Sequence, residues 1–141
     1  MGIATRVLVA DDDADSRAIT RTFLEFQGRE VLEAEDGRAA VITAVVHRPD
    51  VIVLDLIMPN VDGWQATAML RADPATRAIP ILALTATSQP DDRDRALAAG
   101  CDRVLFKPIA LAELTAVIDT LHQAAQTVAR ARAEQSVPGV A

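Results

Sequence analysis

Acidic, hydroxyl and amino side chains follow four short hydrophobic segments of the chain. Asp11 and Asp12 follow the first of these segments, Asp55 ends the second, and Thr85 and Lys107 follow the last two. Open α/β proteins place their sites at the carboxyl ends of parallel strands, which meet at one edge of the sheet. We therefore expect these side chains to converge on one site.

The combination of residue types indicates phosphoryl chemistry. Carboxylates that converge repel one another and raise each other's pKa unless a cation lies among them, and Mg²⁺ prefers such oxygen ligands. The ammonium of Lys107 and the hydroxyl of Thr85 suit the oxygens of a phosphoryl group. Carboxylates also act as nucleophiles in aspartyl-phosphate chemistry. Asp55 is the best nucleophile candidate, because it stands alone while Asp11 and Asp12 form a pair for the ion.

The hydrophobic segments that position these residues have the composition of buried strands. They are rich in Val, Ile and Leu without polar alternation, which is typical of strands buried on both faces. The predicted strands cover 7–10, 31–34, 51–54, 81–84 and 104–106.

Helical segments alternate with these strands. Ile19, Thr22, Phe23 and Phe26 have the spacing of one face of a first helix. Further helices are predicted over 38–47, 64–71 and 89–100, and from about residue 110. Five strands that alternate with five helices predict a doubly wound α/β fold with a parallel sheet and right-handed crossovers. The flavodoxin-like strand order 2-1-3-4-5 is the natural candidate.

The fourth and fifth predicted helices have unusual compositions. Residues 91–95 are polar on every side, so we expect the fourth helix to be loosely held, although a well-ordered solvated helix is about equally compatible. The fifth helix carries an apolar stripe whose early leucines should pack on the sheet. We assign residues 1–124 to the domain and 125–141 to a helical extension with a flexible tail. The extension is a candidate for homodimer formation, or alternatively a frayed end.

Length, charge and cysteine content exclude several classes of protein. The 141 residues suit a single domain, and the net charge of −6 argues against a nucleic-acid or anionic-membrane surface. No apolar stretch approaches a membrane span of roughly 20 residues, and the N-terminus lacks the pattern of a signal peptide. The single cysteine suits a reducing compartment. We therefore predict a cytoplasmic protein that binds neither nucleic acid nor membranes.

Taken together, these motifs resemble those of the receiver domain of two-component response regulators, the CheY-like superfamily. The resemblance covers residues 5–124 approximately. Its motifs are Val7-Leu8-Val9-Ala10-Asp11-Asp12, Asp55 followed by Met58-Pro59 and Asp62-Gly63, Thr85-Ala86, and Lys107-Pro108-Ile109. Their joint occurrence, in this order and spacing, is highly specific.

The resemblance implies a role for each matching residue. Asp55 would accept the phosphoryl group. Asp12, Asp55 and the backbone carbonyl of Ile57 would bind Mg²⁺, and Asp11 would act mainly through coordinated water. The hydroxyl of Thr85 would hold the phosphoryl oxygens.

The amide of Ala86 and the ammonium of Lys107 would also bind the phosphoryl oxygens. The Lys107-Pro108 bond would be cis, which proline alone makes affordable. The phosphodonor would be a phosphohistidine on a sensor histidine kinase or a histidine phosphotransfer protein. The chain would act on a downstream target protein and would catalyse no reaction beyond its own phosphorylation and dephosphorylation.

One departure from the family pattern concerns switching. Val104 occupies the position that usually holds an aromatic residue coupled to the threonine of the site. Our hypothesis is that the loop after Thr85 and the fourth helix carry the signal instead. Ile57 and Thr87 flank the site at positions that influence hydrolysis in this family, and a β-branched Ile57 suggests a slow reaction.

Three alternatives remain open from the sequence. A metal-dependent phosphatase of the haloacid dehalogenase type also uses an aspartate nucleophile, but it requires a second aspartate where this chain has Ile57. A flavin- or nucleotide-binding module would need a Gly- or Ser/Thr-rich loop where Asp11, Asp12 and Asp13 stand. The chain could also be a receiver cut from a longer hybrid kinase or regulator.

Overall fold

Five parallel strands form one sheet in the computed structural model, which describes residues 4–86 and 89–135. The strands are β1 (Arg6–Ala10), β2 (Glu30–Ala34), β3 (Val51–Asp55), β4 (Ile81–Thr85) and β5 (Arg103–Phe106). Their order in the sheet is β2-β1-β3-β4-β5, and every neighbouring pair is parallel. The predicted order 2-1-3-4-5 is therefore confirmed.

A helix follows each strand, as the alternating pattern predicts. The helices are α1 (Ala14–Phe26), α2 (Gly37–His47), α3 (Gly63–Ala72), α4 (Pro90–Ala99) and α5 (Leu111–Gln135). The first three begin at aspartates, because a carboxylate there accepts a hydrogen bond from an otherwise unpaired N–H group of the first turn. These aspartates are Asp13, Asp36 and Asp62.

The helices cover both faces of the sheet. Alternate residues of each strand point to opposite faces, so Val7 and Val9 pack with Leu24 of α1 and Ile118 of α5. Leu8 belongs to the opposite core, which contains residues of α2, α3 and α4. All five residues of β3 are buried, which explains their uninterrupted apolar sequence before the final aspartate.

The apolar stripe of α1 does not face the sheet. The predicted helix is present, but Ile19 and Phe26 are 62% and 91% exposed, and Leu24 is the buried residue of the helix. Periodicity identified an apolar face correctly without showing which side of the helix packs on the sheet. The Ile19 face therefore remains available to solvent.

Helix α5 continues well past the sheet. Leu114 and Ile118 are buried against it, as expected for the early apolar residues, whereas 126–135 are exposed. The tail predicted beyond Gln135 lies outside the described residues, and the division at residue 124 remains a prediction. Among the described helices, none combines the length and the apolar character that crossing a membrane requires.

Candidate functional site

The ends of β1, β3, β4 and β5 bring the predicted residues to one edge of the sheet. Asp11, Asp12 and Asp55 each offer a carboxylate oxygen within 4.8 Å of the others. Asp11 and Asp55 are buried, whereas Asp12 is exposed. Thr85 is the last residue of β4 and is fully buried.

Asp55 is held by two donors, one on each oxygen. The ammonium of Lys107 lies 2.7 Å from Oδ2, and the N–H group of Ile57 donates to Oδ1 at 3.1 Å. Burial raises the pKa of Asp55 above its ordinary value, and this effect outweighs the two hydrogen bonds, which favour the ionised form. The carboxylate is therefore fixed in place yet poorly solvated, which suits a nucleophile.

Lys107 is the cation of this site. Its Nζ atom also lies 3.7 Å from Asp11 Oδ2. Partial burial lowers the pKa of Lys107, but the Asp55 carboxylate, together with Asp11, raises it more, so the net pKa is above the ordinary value. The Lys107 N–H group donates to the Thr85 carbonyl at 2.7 Å, and the Lys107-Pro108 bond is cis, as predicted.

The remaining predicted residues lie in loops beside Asp55 and Thr85. Ala86 is exposed directly after β4, where its N–H group follows Thr85. Ile57 is 57% exposed two residues after Asp55. Thr87, which the sequence placed beside the site, lies outside the described residues.

The start of α3 packs directly on the backbone that carries Asp55. The Gly63 N–H group donates to the Leu56 carbonyl at 2.8 Å. A Cβ atom at Gly63 would lie 2.5 Å from Leu56 Cα and 2.6 Å from the Asp55 carbonyl oxygen. Glycine is therefore required at this position because no side chain fits between α3 and the end of β3.

The residue after Gly63 joins α3 to α4. The ring of Trp64 is covered by the guanidinium of Arg95, 4.2 Å from the ring centroid. Its Nε1 atom donates to the Asp92 carbonyl at 3.4 Å. Through Trp64, the beginning of α4 is therefore in contact with the helix that packs on the Asp55 backbone.

Arg17 is a residue of the site that the sequence reasoning missed. Its Nη1 atom donates to the Asp11 carbonyl at 2.7 Å, and its Nε atom lies 3.1 Å from Glu33 on β2. Arg21 binds the other Glu33 oxygen at 2.8 Å. The sequence does contain a signal for this bridge, namely two arginines four residues apart on α1 followed by an acidic residue in the next strand.

The charges and donor atoms fit a divalent cation. Three carboxylates cluster here, and among the described side chains one ammonium, that of Lys107, contacts two of them, Asp11 and Asp55. The remaining negative charge and the all-oxygen donor set are those that Mg²⁺ binds. Asp11, Asp12 and Asp55 are the side chains that would hold it.

Comparison with known proteins identifies the family. The response regulator receiver domain model matches residues 7–119. The transcriptional regulatory protein PrrA of Mycobacterium tuberculosis is 41% identical over 134 residues, a match that covers 95% of this chain and 57% of PrrA. The sensor protein EvgS of Escherichia coli O157:H7 is 36% identical over 126 residues, covering 89% of this chain and 10% of EvgS. The chain thus spans little more than half of PrrA and a small part of EvgS.

Solved structures agree with this result. The receiver domain of the sensor histidine kinase PA1611 from Pseudomonas aeruginosa PAO1, which has a magnesium ion coordinated in its active site cleft, superposes with a TM-score of 0.80 at 32% identity. That match covers 86% of this chain and 99% of the PA1611 chain. The chemotaxis protein CheY4 of Vibrio cholerae has a TM-score of 0.80 at 30% identity, covering 84% and 99% of the two chains.

The chain belongs to the response regulator receiver domain family, the signalling domains of two-component systems. The resemblance inferred from the sequence is confirmed. Neither the phosphatase nor the flavin-binding alternative is supported.

Proposed function

We propose that this receiver domain accepts a phosphoryl group on Asp55 from a phosphohistidine of a sensor histidine kinase or a histidine phosphotransfer protein. The observation that supports it best is the buried Asp55 carboxylate, held by Lys107 at 2.7 Å beside two further carboxylates. An Asp55 oxygen attacks the phosphorus, the bond from phosphorus to the histidine nitrogen breaks, and the imidazole retains the electron pair and takes up a proton.

The residues around Asp55 lower the barrier by neutralising charge. Asp11, Asp12, Asp55 and the Ile57 carbonyl would hold Mg²⁺, which would offset the charge of the carboxylates and of the transferred oxygens. Lys107 neutralises Asp55 before transfer and the phosphoryl oxygens afterwards. The resemblance to receiver domains implies these roles, and the position of each group at the edge of the sheet supports them.

Two further groups receive the phosphoryl oxygens from the β4 side. The hydroxyl of Thr85 and the amide of Ala86 donate hydrogen bonds to them, since both lie at the carboxyl end of β4, next to β3. The exposed β-branched side chain of Ile57 restricts the approach of water. We therefore expect the acylphosphate to hydrolyse slowly.

The phosphodonor docks on the exposed face of α1. Ile19, Phe23 and Phe26 form a continuous apolar surface there. A groove that shares Ile19 with this surface is also lined by Leu84 and by Lys107, which binds Asp55. A partner whose phosphohistidine reaches Asp55 can place an apolar face on this surface, so the apolar face of α1 supports binding of the donor.

The signal leaves the domain on the side opposite α1, through the loop after Thr85 and helix α4. Phosphorylation repositions the loop after Thr85 and helix α4, and this changes binding of a downstream protein in the cytoplasm. The exposed end of α5 supports self-association as a homodimer. Neither step requires nucleic acid or a membrane to bind the receiver itself.

A chemical phosphodonor tests the central claim. The chain is incubated with acetyl phosphate and MgCl₂, and intact mass is measured for the parent and for Asp55→Asn. The parent gains the mass of one phosphoryl group, whereas the variant gains none. Equal labelling of both proteins would place the acceptor elsewhere.

Donor docking is tested by comparing two phosphodonors. Ile19→Ser and Phe26→Ser should slow transfer from a phosphohistidine protein but leave labelling by acetyl phosphate unchanged, because they alter the surface and not the site. Val128→Ser, which replaces an exposed apolar residue on α5, is the matched control. If the α1 variants slowed labelling by both phosphodonors equally, they would be disturbing the Asp55 site and not the docking of the donor.

A further inference from the structure

The Arg17 guanidinium bridges two elements beside the acidic site. One nitrogen donates to the Asp11 carbonyl at 2.7 Å and another contacts Glu33 at 3.1 Å. The Arg17 side chain is only 17% exposed, and Glu33 is anchored on β2, directly beside β1 in the sheet. The bridge therefore ties the loop after β1 to a fixed strand.

The carbonyl that Arg17 binds belongs to the peptide that joins Asp11 to Asp12. A peptide is planar, so fixing its oxygen also fixes the orientation of the Asp12 N–H group and restricts the direction in which the Asp12 side chain leaves the backbone. The Asp13 N–H group donates to Asp11 Oδ1 at 2.9 Å and orients the other carboxylate. Exposed Asp12 is the member of the acidic group that most needs such support.

We propose that Arg17, held by Glu33, is a positioning residue for the metal site, an inference that rests on the proposed binding of Mg²⁺ by Asp11, Asp12 and Asp55. Arg17 touches neither the ion nor the phosphoryl group; it acts through the peptide between the first two aspartates. Loss of the bridge allows that peptide to rotate, so the carboxylates must be ordered when the ion binds, and affinity falls.

Glu33 has a second effect in this arrangement. A cation near a magnesium site would oppose binding of the ion, but Glu33 pairs with both Arg17 and Arg21, and Arg21 also pairs with Glu25, so two carboxylates compensate the two guanidinium charges. Although burial raises the pKa of Glu33, the hydrogen bonds from Arg21 and Arg17 lower it more, so the net pKa is below the ordinary value and Glu33 is ionised at neutral pH. The bridge thus places an arginine beside the site with its charge compensated.

The critical variant is Arg17→Lys, which keeps the positive charge but loses the planar fork that reaches two acceptors at once. Arg21→Lys is the matched control, because Arg21 binds Glu33 but makes no contact with Asp11 among the described hydrogen bonds. Mg²⁺ affinity is measured on the full chain by isothermal titration calorimetry with MgCl₂, without any phosphodonor.

We expect Arg17→Lys to weaken Mg²⁺ binding by about tenfold. This is the lower end of the effect that is typical when a residue that orients a metal ligand is replaced. Arg21→Lys should remain close to the parent. Glu33→Gln, which keeps a neutral acceptor for Arg17, should give an intermediate loss and tests the same bridge if Arg17→Lys does not fold.

The outcomes separate this inference from the proposed function. If a folded Arg17→Lys variant bound Mg²⁺ as tightly as the parent, even with a lower melting temperature, the role of Arg17 would be purely structural. This result would overturn the inference and leave the proposed function untouched. Equal losses for Arg17→Lys and Arg21→Lys would overturn it too, because they would indicate an effect through Glu33 only. A parent chain that binds no Mg²⁺ would overturn the proposed metal site and this inference with it.

Discussion

The two flanks of the acidic site are built differently. On the β1 side, α1 begins at the Asp13 cap, and Arg17 and Arg21 tie it to Glu33 of β2. On the β4 side, Ala96 is the one buried residue of α4, a helix that the structure describes in full. The flank that would hold the metal is therefore fixed, whereas the opposite flank depends on few contacts.

Helix α4 is also held unequally along its length. At its carboxyl end, the Arg71 Nε atom donates to the Gly100 carbonyl at 2.9 Å, and the same guanidinium binds Asp102 at 2.8 Å. At its amino end, Trp64 contacts Asp92 and Arg95. The helix is thus anchored where it leads into β5 and lightly attached where it follows the loop from Thr85.

This difference suits a signalling domain. Binding of an ion and a phosphoryl group requires groups that are already in place, whereas transmission of a signal requires an element with a small free-energy difference between two positions. Val104 is buried and offers no aromatic ring to move. We therefore expect the lightly attached end of α4 to be the element that the site shifts.

The largest expected effect is on the fixed backbone beneath Asp55. Gly63→Ala should lower the free energy of unfolding by about 3 kcal/mol, because the new Cβ would overlap backbone atoms that cannot move without distorting the site. Urea unfolding measures the change. Gly28→Ala is the control. The φ of Gly28, +86°, strains any residue with a side chain, but no atom of the described residues lies within 4 Å of where its Cβ would be. We therefore expect a loss of about 1 kcal/mol in the free energy of unfolding. A smaller loss at Gly63 than at Gly28 would show that this part of the site yields easily.

The next effect tests whether only one flank moves. With beryllofluoride and Mg²⁺ as a phosphoryl mimic, amide exchange in 90–99 should change about fivefold or more, the range of typical coupling free energies. Exchange in 14–26, on the fixed flank, should change much less. Unchanged protection of α4 would reject our hypothesis that this helix carries the signal.

Much of this arrangement could be predicted from the sequence. Apolar runs, interrupted only by Glu33 in β2, placed the ends of all five strands within one residue. The polar residues that follow β1, β3, β4 and β5 converge as parallel topology requires. The side of α1 that packs on the sheet could not be predicted, because Ile19 and Leu24 are equally apolar and only packing distinguishes them. The Arg17 bridge depends on the register between α1 and β2, and the Trp64 contact depends on the path of α4, which are tertiary properties.

A smaller effect concerns the pH dependence of the fixed flank. The folded-state pKa of Glu33 is below its unfolded value, so its stabilising contribution is present above about pH 4.3 and is lost as the pH falls through the folded-state pKa. Glu33→Gln should therefore lower stability by about 1 kcal/mol at neutral pH. The gap between parent and variant should close in acid, as measured by thermal unfolding from pH 7 to pH 3. If the stability difference between parent and variant did not depend on pH, packing of the Glu33 side chain and not its charge would maintain the bridge.

The smallest effect is at the contact that attaches the amino end of α4. Arg95→Gln removes the cation above the Trp64 ring, a contact worth about 0.5 kcal/mol where the cation is exposed. Global stability should hardly change, but amide exchange in 90–95 should accelerate by about twofold, because the contact contributes only to this end of the helix. Arg93→Gln removes an equal charge from the same turn without touching the ring. If both variants accelerate exchange equally, the overall charge of the helix and not the ring contact stabilises its amino end. If neither variant accelerates exchange, the Trp64 hydrogen bond to Asp92 is sufficient to hold this end.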